Sequence, residues 1–158
     1  MYYSGPRIFI QTICTLALQN QAMIQRIQSL WLLLAAVCAF LTFRVSFFYG
    51  VKTGAAANEA LNATSDMLLI ITAAVTGLGA FIAIFLYKNR KVQLRVTVLV
   101  LIVSILNLVL YFVRRQQYSG GEFSLTSIVS FVIPLFLVLA ARGIWKDQKL
   151  IKSLDRLR

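Results

Sequence analysis

The residues able to do chemistry are few in this chain, and their spacing assembles no reactive group. There is no histidine, and the two cysteines, Cys14 and Cys38, lie inside apolar runs with no CxxC pairing. A zinc site needs close-set N and S ligands, and a thiol nucleophile needs a base beside it. Both cysteines are therefore expected to be small apolar packing residues. The segment from Tyr49 to Asp66 carries Lys52, Asn58, Glu59, Asn62 and Asp66 but no carboxylates paired for acid–base work. No catalytic residue, metal or cofactor is expected, and the chain does not read as an enzyme. The other polar residues that could act are mild: Thr72, Thr76, Ser104, Asn107, Thr126, Ser127 and Ser130, all within apolar stretches. They suit hydrogen bonds between helices, or the lining of a pathway for a polar solute. A proton-coupled pump or voltage sensor is disfavoured, because no Asp, Glu, Lys or Arg stands near the middle of an apolar run.

The elements that must position these residues are membrane spans. Hydrophobic residues make up 59% of the 158 and charged ones 13%, against roughly 45–50% and about 25% in soluble domains. Four stretches approach the ~20 apolar residues that a spanning helix needs: 29–48, 67–87, 96–113 and 125–141. They are apolar all round, without the short alternation of barrel strands. The expected fold is all-α: an integral membrane bundle of four transmembrane helices (residues 23–143) with a C-terminal cytoplasmic amphipathic helix (144–158). Ala73-xxx-Gly77 and Gly79-xxx-Ala83 mark a face of the second span where a neighbouring backbone can come close. Pro134, mid-span in the fourth helix, is expected to kink it.

Charge sets the orientation. Twelve of the 16 Lys and Arg fall before the first span, between the second and third, or after the fourth. By the positive-inside rule both termini and the 88–95 loop are cytoplasmic, with 49–66 and 114–124 outside. Arg44, Arg114 and Arg115, near the outer interface, could form an anion-binding spot with Glu59, Asp66 or Glu122, although ordinary snorkelling accounts for them. In the tail, Ile144, Leu150, Ile151, Leu154 and Leu157 approximate an apolar stripe amid Lys146, Lys149, Lys152, Arg156 and Arg158, with Trp145 at the headgroup level. The expected partners are membrane lipids and a membrane protein or second copy of the chain. The formal charge of +11 is placed as an orientation signal, so nucleic acid is not expected.

The first 22 residues read as an extension. Ile8–Leu18 is too short to span, Arg7 before it mimics a signal peptide, and Asn20 stands where a cleavage site at Ala22 would want a small residue. From Met23 the chain begins MIQRIQSLWLLLAA and it ends LAARGIWKDQKLIKSLDRLR. Both blocks resemble an uncharacterised four-span family of Bacteroidota, domain of unknown function 4293. The resemblance implies the inner membrane of a Gram-negative bacterium and a start at Met23, and it brings no activity with it.

The functional expectation is an integral inner-membrane protein of structural or accessory kind that works through helix packing and its basic tail. The alternative is a small transporter or channel subunit lined by Thr72, Thr76, Asn107 and Ser130.

Overall fold

The structure is a computed structural model that describes residues 27–52 and 58–155. Four helices run antiparallel in sequence order: α1 (Ile27–Leu41), α2 (Met67–Phe85), α3 (Arg90–Arg115) and α4 (Ile128–Asp155). Three short strands, β1 (Phe48–Lys52), β2 (Asn58–Leu61) and β3 (Tyr118–Phe123), form an antiparallel sheet in the order β2-β1-β3.

Each helix turns a stripe repeating every three and four residues toward its neighbours, the period at which one helical face recurs. The stripes are rich in small and mildly polar residues: Ala35, Ala36 and Ala39 in α1, Ala73, Thr76, Gly77 and Ala80 in α2, Thr97, Ser104 and Asn107 in α3, Ser130 and Ala140 in α4, with Leu32, Leu69, Val100, Ile133, Leu137 and Ile144 buried among them. Many other large apolar side chains point the other way. Leu33, Phe40, Leu78, Ile102 and Leu135 are 44–58% exposed, while the buried alanines are at most 2% exposed. Such an arrangement suits a solvent as apolar as leucine itself, in which close backbone approach drives helix association. Three stretches, Met67–Lys88, Arg90–Arg115 and Leu125–Lys149, are long and apolar enough to cross a membrane.

The helices form a ring. Trp31 of α1 meets Phe136 of α4 with ring centroids 5.4 Å apart. A Cβ at Gly77 of α2 would lie 3.2 Å from Phe40 of α1, and one at Gly79 would lie 2.5 Å from Val100 of α3. Phe112 of α3 meets Phe131 of α4 at 6.1 Å. One end of the ring collects the first turn of α1, the tight Leu86–Lys88 turn and the last turns of α4. The sheet caps the other end.

Three expected elements are corrected. The first apolar run does not stay helical to Phe48, because α1 ends at Leu41 and residues 42–44 turn. The Thr42 hydroxyl takes the Ala39 carbonyl at 2.6 Å, and the Phe47 N–H is drawn to Leu61 O at 2.7 Å, which starts the sheet. The 15 described residues of α1 cover about 22 Å. The 88–95 loop is mostly the first turns of α3, so the reversal is confined to Leu86–Asn89. The fourth span and the tail are one continuous 28-residue helix, running through both Pro134 and Gly143. Ile144 is fully buried against the bundle, so the start of the tail packs on protein. The sheet itself has no counterpart in the sequence reading.

Candidate functional site

Polar side chains gather at three depths. At the turn end, Asp147 of α4 is 5% exposed and accepts from Gln28 Nε2 of α1 at 2.7 Å. The Arg90 guanidinium at the start of α3 reaches the same Oδ2 at 3.2 Å, and Gln148 Nε2 donates to Arg90 O at 2.6 Å. One carboxylate thus ties three helices. Burying it is tolerable because an opposite charge and a hydrogen bond meet it. Gly143 leaves room here, since a Cβ would lie 2.8 Å from Gln28 Cγ.

At mid-depth the candidate pathway residues Thr72, Thr76 and Asn107 are occupied with one another or with their own helices. Thr72 Oγ1 stands 2.9 Å from Asn107 Oδ1 and equally far from Leu68 O. A hydroxyl has one proton, so presenting Nδ2 of Asn107 to Thr72 would satisfy both contacts. Thr76 donates to Thr72 O at 2.7 Å, Thr97 to Gln93 O at 2.9 Å, and Ser104 to Leu101 O at 2.8 Å. Ser130 is buried in α4, one turn before Pro134, whose ring nitrogen cannot donate to the Ser130 carbonyl.

At the sheet end, Phe47 stacks on Tyr111 at 4.5 Å and meets Phe112, Phe123 and Phe131 at 5.9–6.1 Å. The Tyr111 hydroxyl lies against Thr42 without a hydrogen bond of ordinary geometry. Thr126 Oγ1 donates to Ser46 O at 2.7 Å and Ala63 N–H to Thr42 O at 3.4 Å, which fastens the end of α1 to the cap. Arg44, Arg114 and Arg115 go separate ways. Arg114 pairs with Asp66 at the start of α2. Arg115 lies over Phe48 and Phe123, with Cζ 5.2 and 4.3 Å from the ring centroids, and Arg44 is exposed. Beside the Asp66–Arg114 pair a pocket of about 150 Å³ opens, lined by Leu61, Ser65, Asp66, Arg114, Gln117 and Tyr118.

A family model described as Domain of unknown function (DUF4293) matches residues 24–157, nearly the whole chain and all three polar layers. The chain belongs to the DUF4293 family. No curated protein and no solved structure matches it.

Of the tail residues of this DUF4293 protein, Trp145, Lys146 and Lys149 are exposed on α4. Lys152 lies within α4, whereas Arg156 and Arg158 fall outside the described residues, as do Cys14 and the 1–22 extension. Cys38 is a free thiol packed against the alanine-rich core. Among the described residues no three His, Cys, Asp or Glu side chains are placed to hold a metal ion. Sequence reasoning missed Asp147, the one acid that shares the buried stripe of α4, and Gln28 opposite it. The available signal was phase: Leu137, Ala140, Ile144 and Asp147 follow a three-four-three spacing that keeps them on one helical face.

Proposed function

We propose that this protein is a four-span integral protein of a bacterial inner membrane, with both termini cytoplasmic, acting as a structural or accessory component and not as an enzyme. The observation that carries the reading is the occupied interior. Small residues bring the helices into contact, and the mid-depth hydroxyls bond to carbonyls or to Asn107, so the surfaces left for work are the capped outer end and the basic inner end. The fourth span is α1: Gln28 shares Asp147 with Arg90 at one polar layer, and Thr42 meets Ala63 at the other. The basic turn and tail support the cytoplasmic assignment of that end. The resemblance to a Bacteroidota family supports the compartment.

The test is crosslinking and capture from native membranes with a C-terminal tag, against a control lacking 146–158. One stoichiometric membrane-protein partner, or a second copy, that depends on the tail supports an accessory role. Capture of the chain by itself only, together with a solute flux that Asn107→Leu abolishes while insertion stays intact, would replace it with the transporter reading.

A further inference from the structure

The Asp66–Arg114 pair does more than join two helix ends. Asp66 precedes α2 and Arg114 closes α3, and their side chains remain 25% and 31% exposed. An ion pair this open contributes little stability, and Arg114 meets Asp66 through Nε. The pair lines the 150 Å³ pocket together with Leu61, Ser65, Gln117 and Tyr118. Pockets for drug-sized ligands run to about 300–1,000 Å³, so this one suits a small group.

Charge narrows the ligand. A lone anion would meet Asp66 and a lone cation would meet Arg114, so neither gains much from a pair that is already neutral. A compact molecule carrying both signs can place its anion on the guanidinium and its ammonium on the carboxylate. The neighbouring Met67 is 74% exposed and Val113 50% exposed, so apolar surface adjoins the pocket.

We infer that this pocket binds a phosphoethanolamine group, from a bilayer phospholipid lying along α2 and α3 or as the free zwitterion. The lipid source rests on the membrane reading above, and the free source does not.

The test uses the full chain. In nanodiscs, native mass spectrometry compares retained phosphatidylethanolamine with phosphatidylglycerol, which lacks the ammonium. In detergent, binding of free phosphoethanolamine is compared with inorganic phosphate and with ethylamine. The lipid source predicts that phosphatidylethanolamine is retained at least about tenfold more strongly than phosphatidylglycerol, and that Asp66→Asn and Arg114→Gln each remove the preference. The free source predicts selective binding of phosphoethanolamine in detergent without a lipid preference. If neither arm prefers the zwitterion in the wild type, the proposal is overturned, whatever the variants do. A chain that fails to enter nanodiscs would overturn the membrane reading instead, with the detergent arm still deciding the pocket.

Discussion

At the scale of single residues, Asp147 has the strongest claim on stability. Its Oδ2 serves Gln28 and Arg90 together, so removing it leaves a buried amide and a largely buried guanidinium without their acceptor. Breaking a buried pair costs about 3–5 kcal/mol, and the partial exposure of Arg90 lowers this to the bottom of that range or just below it. Asp147→Ala should therefore destabilise the bundle by ~2–3 kcal/mol in thermal unfolding in detergent. Asp147→Asn keeps an acceptor for Gln28 and should lose less. Equal melting of the Ala variant and the wild type would mean that this layer holds nothing together. Asn107 is the milder case, since Thr72 can fall back on Leu68 O. Asn107→Leu should cost about 1 kcal/mol and leave insertion unchanged, as measured by membrane fractionation and melting.

At the scale of elements, the two glycines of α2 are not equivalent. A methyl at Gly77 would meet the far end of the Phe40 ring at 3.2 Å, which can swing away. At Gly79 it would meet Val100 Cγ2 at 2.5 Å, on a β-branched side chain held near one rotamer in a helix. Gly79→Ala should cost ~1–3 kcal/mol by overpacking and Gly77→Ala less, in the same melting assay. The bodies of α2 and α3 were legible from spacing alone, because long apolar runs admit few other readings, whereas the close neighbours at Gly77 and Gly79 are side chains of two different helices. The end of α1 was not legible. Phe47 and Phe48 extend the apolar run without a break, and what ends the helix is pairing with Leu61 and Phe123, far along the chain. Strand β3 contains Gly120 and Gly121, a residue type depleted in strands, so its sequence does not announce it. Gly121 faces Gly50 across the sheet, where a Cβ would strike the carbonyl oxygen of Tyr49. The unbroken α4 was obscured by its change of composition at Arg142. Helix continuity follows from backbone geometry and packing, and Ile144 and Asp147 continue the buried stripe beyond the last purely apolar turn. For Arg114 the sequence offered Glu59, Asp66 and Glu122 as partners near one interface, and the fold selects Asp66 and places the pocket beside it.

At the scale of the molecule, the two ends differ in kind: a basic turn and helix extension at one, an aromatic sheet cap at the other. Orientation is testable by labelling with a membrane-impermeant maleimide after replacing Cys14 and Cys38 with serine. Glu122→Cys should label in cells with a permeable outer membrane, and Lys146→Cys only after the inner membrane is opened; the reverse pattern would invert the topology. The strand order β2-β1-β3 also has a consequence for biogenesis. The central strand is made before either neighbour, and Lys52 and Tyr118 are 66 positions apart. At synthesis rates of about 5–20 residues per second, one edge of β1 waits roughly 3–13 s for its second partner. During that interval the nascent chain presents an unpaired β-edge, open to mispairing with a second copy. Completion of the cap thus requires synthesis of the whole of α3, and the sheet records that the third helix has been made.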